Sequence, residues 1–176
     1  MKDYITVIGG GLAGCEAALQ IANKGIKVKL YEMKPIKFSE AHTNKNLAEI
    51  VCSNSFKSNL LTNACGLLKE ELRRLGSYLI KIADAVKVPA GQALAVDRDI
   101  FSKEVTKLIE ENKNIEVIYE EVIKIPEDGI VIIATGPLTS ESFSKEILNF
   151  LEENELYFYD AAAPIIEKSS INMDIA

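Results

Sequence analysis

Three glycines at a fixed spacing are the clearest chemical signal near the start of the chain. They belong to the segment Gly9, Gly10, Gly11, Leu12, Ala13, Gly14, which lies between a β-rich run and an amphipathic stretch. In a Gly-x-Gly-x-x-Gly turn the first glycine permits the tight bend. The second lets the backbone approach a pyrophosphate, and the third allows a helix to pack closely on the sheet. Free N–H groups at the helix start then bind the anion. The motif predicts a dinucleotide-binding turn.

An acidic residue follows at the separation that such a turn requires. Glu32 ends the second predicted strand, 18 residues after Gly14. A carboxylate at this position accepts hydrogen bonds from the ribose of adenosine. The same charge repels a 2′-phosphate and therefore disfavours NADP. The alternative, a glycine-rich turn that only packs a helix, leaves the position of Glu32 unexplained.

The second candidate for chemistry is a thiol. Cys52 lies among small polar residues in the segment 50–56, IVCSNSF. Neighbouring backbone N–H groups can hold such a thiol as a thiolate, and a thiolate can add to an electron-poor carbon. The alternative is a buried, inert cysteine, which is the commoner case on composition alone.

The elements that must position these groups alternate between strands and helices. Near-continuous apolar strands and intervening amphipathic helices predict an α/β fold with a mainly parallel sheet. We expect the run Ile130–Ala134 to be buried on both faces and Asp99 to cap a helix. The polar, aperiodic segment 35–63 predicts a long irregular loop. The predicted strands are 4–8, 26–31, 115–125, 130–134 and 156–159, and the predicted helices are 12–23, 61–75, 100–111 and 140–153.

Composition limits the possible classes of protein. The 176 residues carry 20 basic and 26 acidic side chains, a net charge of −6. No apolar run approaches the roughly 20 residues of a membrane helix, and no signal peptide is evident. Three cysteines cannot all pair within one chain, which favours reduced thiols in the cytoplasm. A single histidine, His42, excludes a His-rich metal site and is typical of a solvated loop residue, although it could meet substrate or a bound cofactor.

A further signature concerns the kind of dinucleotide. The apolar run ends in Ala134-Thr135-Gly136. A strand with this ending resembles the second signature of the two-dinucleotide-binding flavoproteins, in which it lies against FAD. The resemblance implies FAD rather than NAD, with Thr135 and Gly136 beside the cofactor. It also implies that the strand starting at Ile115 ends near the adenine, at Val122.

Six segments run in order along nearly the whole chain: VIGGGLAGCEAA at 7–18, E-x-V-C-S-N-S at 49–55, LTNACGLLKEELRRLGS at 61–77, VPAGQALAVDRDIFS at 88–102, IIATGPLTS at 132–140 and YFYDAAAPI at 157–165. Together they resemble one family, the bacterial flavin- and folate-dependent tRNA (uracil-5-)-methyltransferases, over its N-terminal portion. Cys65 departs from the family pattern, which is usually apolar there.

The resemblance implies a defined reaction. The family takes a one-carbon unit from 5,10-methylenetetrahydrofolate, uses FAD with reducing equivalents from NAD(P)H, and makes 5-methyluridine in the T-loop of tRNA. Some relatives methylate ribosomal RNA instead. Cys52 matches a cysteine implicated in this chemistry, as nucleophile or base. Lys45, Lys57 and Lys69 could join a phosphate-facing patch, on charge alone.

The resemblance also implies how the chain is organised. Residues 1–160 would be the N-terminal part of a Rossmann-like FAD-binding domain, and residues 161–176 the start of an inserted or second domain. We therefore expect a domain incomplete at its C-terminus and a chain inactive alone. Two other functions stay open: a generic FAD- or NAD-linked oxidoreductase without an RNA substrate, and a non-catalytic truncated module that binds nucleotide.

Overall fold

The computed structural model describes residues 3–153 and divides them between two sheets and five α-helices. The strands are β1 (Tyr4–Ile8), β2 (Lys27–Glu32), β3 (Ser55–Ser58), β4 (Lys87–Val88), β5 (Ala93–Val96), β6 (Ile115–Tyr119) and β7 (Val131–Ile133). The helices are α1 (Leu12–Asn23), α2 (Ala64–Arg74), α3 (Tyr78–Ala85), α4 (Arg98–Glu110) and α5 (Glu141–Leu151), with a 3₁₀ turn at Gly136–Leu138. The strand expected at 156–159, the segment 157–165 and the boundary at residue 160 lie outside the described residues.

The larger sheet is parallel and has the strand order β6-β2-β1-β7. This confirms the predicted α/β class. The strands β2 and β6 are added on one side of β1, and β7 is added on the other side. The strand order therefore reverses beside β1. In open parallel sheets a ligand crevice forms at such a reversal, beyond the carboxyl ends of the strands.

One face of this sheet packs against helices and forms the core. The alternating side chains of β1 and β2 place Val7, Val28 and Leu30 on that face, where all three are buried. They pack in one cluster with Cys15 of α1 and Phe101 of α4. Burial raises the pKa of the Cys15 thiol to about 12, so Cys15 is an apolar core residue at neutral pH.

The strand β7 differs from its prediction. The run 130–134 was expected to be buried on both faces, yet Ile133 is 41% exposed and Ile130 is 62% exposed. The reason is position, since β7 is an edge strand of the described sheet and pairs only with β1. Among the described residues, no helix combines the length and the hydropathy needed to cross a bilayer.

The excursion at 35–63 also contains structure that its polar sequence does not indicate. The strand β3 lies within it and pairs antiparallel with β5. The Lys69 ammonium of α2 reaches this strand and donates hydrogen bonds to the carbonyls of Phe56 and Cys65, both at 2.7 Å. Lys69 is only 4% exposed, so its expected place in a phosphate-facing patch is wrong.

Two helix starts differ from the sequence interpretation. Asp97, not Asp99, caps α4, because its carboxylate accepts the N–H groups of Asp99 and Ile100. The helix α3 was not predicted at all. Its first turn is held by a residue distant in sequence: Glu16 of α1 accepts hydrogen bonds from the Tyr78 and Leu79 N–H groups at 3.1 and 2.9 Å.

The Glu16 carboxylate should therefore stabilise the α1–α3 contact. Replacing it by alanine removes the acceptor for two N–H groups at the start of α3, and hydrogen bonds to charged groups contribute about 1.5–3 kcal/mol. We expect Glu16→Ala to lower the free energy of unfolding by about 2 kcal/mol. Urea unfolding followed by circular dichroism measures the change. Glu104→Ala, at an exposed position of α4, is the control, and equal losses in both variants would contradict the assignment.

Candidate functional site

A cleft of about 290 Å³ lies at the carboxyl ends of β1, β2 and β7. Its walls combine the glycine turn, the end of β2, the segment after β6 and the turn after β7. Every sequence-predicted cofactor residue except Gly14 lines this cleft; these are Gly9, Gly10, Gly11, Leu12, Ala13, Glu32, Val122, Thr135 and Gly136.

The three motif glycines differ in what surrounds them. A Cβ on Gly14 would lie 1.8 Å from the Gly9 carbonyl oxygen. A Cβ on Gly9, whose φ is +104°, would lie 2.6 Å from the Ala134 carbonyl oxygen. A Cβ on Gly11 would meet nothing within 4 Å. Gly9 and Gly14 are therefore required by packing, whereas the space beside Gly11 is open to a ligand.

The start of α1 offers hydrogen-bond donors to that open space. The N–H groups of the first helical turn have no partner within the helix. Gly11 occupies the cap position and supplies no side-chain acceptor for them. The partial positive charge of the helix start adds to these donors. This arrangement suits a phosphate group.

Glu32 is held in place by backbone groups on both of its oxygens. Its Oε2 accepts the Gly10 N–H at 2.8 Å and its Oε1 accepts the Lys34 N–H at 2.9 Å. The residue is 7% exposed and lines the cleft. Since each carboxylate oxygen has two lone pairs, Glu32 retains the capacity to accept hydrogen bonds from ribose hydroxyl groups.

A buried ion pair connects the end of β2 to the following loop. The Lys34 side chain is 2% exposed, and its ammonium donates to Glu49 Oε2 at 3.1 Å and to the Asn46 carbonyl at 2.8 Å. Glu49 Oε1 accepts the N–H groups of Thr43 and Asn44. Burial opposes the charge of Glu49, but these hydrogen bonds and Lys34 outweigh it, so the pKa of Glu49 lies below its ordinary value.

The loop that carries this ion pair is docked on the glycine turn. The Ala48 N–H donates to the Gly10 carbonyl at 2.8 Å, and the Leu47 N–H donates to the Thr106 hydroxyl of α4 at 2.9 Å. The loop reaches the cleft at Val51, which is one of its lining residues. Cys52, the next residue, is exposed and does not line the cleft. The fold therefore places the Cys52 thiol next to the rim of the cleft but outside its lining.

His42 lies in the same loop and lines the cleft. Its Nδ1 is 2.7 Å from the Ser39 hydroxyl. Burial lowers the pKa of His42, and the positive charge of Lys34 lowers it further, against opposing effects of Glu49 and Glu32. The interpretation of His42 as a solvated loop residue is wrong, because the ring is half-buried and faces the candidate site.

A second, polar cavity of about 250 Å³ shares Glu49 and Val51 with the cleft. Arg98 lines this cavity rather than the cleft, and its guanidinium is 3.5 Å from the Ile50 carbonyl. No group of three metal-ligating side chains is found among residues 3–153. The cleft is thus the place where the predicted cofactor residues converge.

Comparison with known proteins identifies the family. The profile of glucose inhibited division protein A matches residues 4–176. The chain belongs to the glucose inhibited division protein A family.

Curated relatives within this comparison share one name, methylenetetrahydrofolate–tRNA-(uracil-5-)-methyltransferase TrmFO. The protein of Acetivibrio thermocellus is 62% identical over 176 residues, and those of Ligilactobacillus salivarius and Fusobacterium nucleatum are each 58% identical over 174 and 176 residues. The resemblance predicted from the motifs is thereby confirmed. The matches include 99–100% of this chain. The chain spans about 40% of the length of these relatives.

A solved structure shows the fold of the family. The GidA protein of Aquifex aeolicus, in its form II crystal, has a TM-score of 0.60 and 20% identity. The match covers 76% of this chain and 25% of that one. At this identity the likeness concerns the fold alone.

Sequence reasoning missed part of the site. Lys34 follows Glu32 closely in the chain, but nothing in its surroundings indicated that its ammonium is buried. Glu49 belongs to the predicted segment E-x-V-C-S-N-S, yet its role as the acceptor that organises the loop depends on contacts with Lys34, Thr43 and Asn44. A lysine and a glutamate separated by an irregular segment carry no periodic signal.

The glycine turn gives a paired prediction. Gly14→Ala places a methyl group against the Gly9 carbonyl, so we expect a loss of several kcal/mol in the free energy of unfolding or no folded protein. Gly11→Ala has open space, so we expect a change within about 0.5 kcal/mol. Urea unfolding of both variants measures this. A stable Gly14→Ala protein would contradict the packing role of Gly14.

Proposed function

We propose that this chain is the N-terminal, FAD-binding part of an enzyme that methylates C5 of a uridine in the T-loop of tRNA, with 5,10-methylenetetrahydrofolate as the one-carbon donor. The observation that carries the proposal is the 56–62% identity, over almost the whole chain, with proteins named for this reaction. Residues 1–160 form the FAD-binding part and residues 161–176 begin a second or inserted domain. The enzyme acts in the cytoplasm, because three free cysteines favour a reducing compartment.

The residues of the cleft suit FAD. The first turn of α1 and the open space at Gly11 accept the pyrophosphate. The Glu32 carboxylate accepts the hydroxyl groups of the adenosine ribose. Val122, Thr135 and Gly136 line the same cleft and supply its remaining walls. When bound, FAD carries the one-carbon unit and transfers reducing equivalents that come from NAD(P)H.

The thiol of Cys52 supports the chemistry that uracil requires. C5 of uracil is a poor nucleophile, and addition of a thiolate at C6 makes C5 enolate-like and able to attack a one-carbon electrophile. Cys52 acts as this nucleophile or as the base that removes the C5 proton. The position of Cys52 is compatible with either role. Its side chain is exposed and therefore accessible to a uracil ring, and the preceding loop is held by the Lys34–Glu49 ion pair.

Flavin binding by the chain tests the cofactor assignment. We expect the purified protein to bind added FAD, with a shift of the flavin absorption band and co-elution in gel filtration. Gly11→Ala should weaken binding by about tenfold or more, equivalent to at least 1.4 kcal/mol, because the methyl group occupies the approach of the pyrophosphate. Unchanged FAD affinity in a folded Gly11→Ala protein would contradict the assignment of the turn.

Methylation requires the remainder of the enzyme, which a chimera supplies. In the chimera, this chain replaces the corresponding segment of the Acetivibrio thermocellus relative, with which it is 62% identical. We expect transfer of labelled carbon from methylenetetrahydrofolate to tRNA, and a loss of at least about 100-fold in Cys52→Ala. Cys65→Ala is the matched control and should retain activity.

The same assay separates the competing functions. Full methylation by Cys52→Ala would contradict the role of the thiol. Transfer to ribosomal RNA but not to tRNA would reassign the substrate. Oxidation of NAD(P)H that proceeds without RNA or folate, and with no labelled RNA formed, would favour the generic oxidoreductase. Binding of FAD by a chimera without turnover would favour a non-catalytic nucleotide-binding module.

A further inference from the structure

His42 is the single histidine of the sequence, and the structure places it on the wall of the dinucleotide cleft. Its ring is half-buried in a loop held by two anchors. One is the Lys34–Glu49 ion pair, and the other is the hydrogen bond from Ala48 to the glycine turn. The position of the ring is thus set by the same contacts that shape the cleft.

The Ser39 hydroxyl is the hydrogen-bond partner of one ring nitrogen of His42. Its oxygen accepts the Ala41 N–H at 3.4 Å and lies 2.7 Å from Nδ1 of His42. In the tautomer in which this hydroxyl donates to Nδ1, the hydrogen of the neutral ring lies on Nε2. No described residue is a hydrogen-bond partner of that Nε2.

Burial, together with the positive charge of Lys34, lowers the pKa of the ring against the opposing effect of nearby carboxylates. Lys34 and Glu32 face it from β2 and the residues that follow, and Glu49 faces it from its own loop. Glu120 and Glu121 line the same cleft from the segment after β6. Burial and Lys34 lower the pKa of His42. At neutral pH the ring therefore offers the cleft an uncharged N–H donor.

We propose that His42 is a phosphate-binding residue of the dinucleotide site, with Nε2–H donating to a phosphate oxygen. This inference rests on the proposed function. Among the groups of a dinucleotide that accept hydrogen bonds, the phosphate oxygens carry the negative charge and therefore bind an imidazole N–H most strongly. A bound phosphate also places negative charge beside the ring, so phosphate binding and protonation of His42 favour each other.

Nuclear magnetic resonance tests the contact without resonance assignment, because the chain has only one imidazole. The Hε1 signal of His42 is titrated with pH in the free chain, with ADP and with adenosine. We expect ADP to raise the titration midpoint by about one unit, the effect of an opposite charge nearby. Adenosine, which lacks phosphate, should leave the midpoint unchanged.

Two variants separate a direct contact from general electrostatics. ADP affinity of the parent chain should rise by up to about tenfold between about pH 8 and pH 5, the linked consequence of a one-unit shift. His42→Gln keeps an N–H donor but cannot titrate, so its affinity should be near the parent value at pH 8 and should not rise at pH 5. Glu40→Gln removes an exposed charge from the same loop outside the cleft, and should keep the pH dependence.

The outcomes distinguish this inference from the proposed function. ADP and FAD binding with an unmoved His42 midpoint, or with pH dependence that persists in His42→Gln, would overturn the phosphate contact and leave the FAD proposal standing. Equal midpoint shifts with adenosine and ADP would also overturn it. A chain that binds neither ADP nor FAD overturns both.

Discussion

The hydrogen bond from the Gly10 N–H to the Glu32 carboxylate joins the two parts of the molecule on which the cleft depends. It connects the turn after β1 to the end of β2 at 2.8 Å, in a buried position. A buried carboxylate must have its hydrogen bonds satisfied, and the Lys34 N–H satisfies the second oxygen. The same residue that the ligand would contact is therefore part of the structure before any ligand arrives. The carboxylate that closes the glycine turn is thus the same one that we propose binds the ribose.

The Lys34–Glu49 pair extends this arrangement to the loop that leads to Cys52. A buried lysine without a partner is costly, and loss of one partner of a buried pair costs about 3–5 kcal/mol. Here the partner comes from the loop before Cys52, so the cost of burying Lys34 is offset only when that loop is docked. The loop places His42 on the cleft wall and Cys52 beyond its rim. Together with the Ala48–Gly10 hydrogen bond, this ion pair sets where the two side chains lie relative to the cleft.

Elements with local, periodic signals were predicted well. The strand Tyr4–Ile8 and the helix Leu12–Asn23 have the predicted bounds. Two elements that the sequence did not indicate receive a stabilising contact from a distant part of the chain. The helix α3 depends on Glu16 for its first turn, and β3 depends on pairing with β5. Neither contact leaves a pattern in the short segment that it stabilises.

The amino-acid sequence by itself determined the parallel α/β class, the glycine turn, the acidic residue at the end of β2 and the family. These features are encoded by short motifs and strand or helix periodicity, which act over a few neighbouring residues. Only the tertiary structure decided that Lys34 is buried against Glu49, that His42 faces the cleft and that Cys52 stays outside its lining. Those positions depend on how an irregular loop docks on the glycine turn. Contacts between residues far apart in the chain decide that docking, and residue types alone do not specify them.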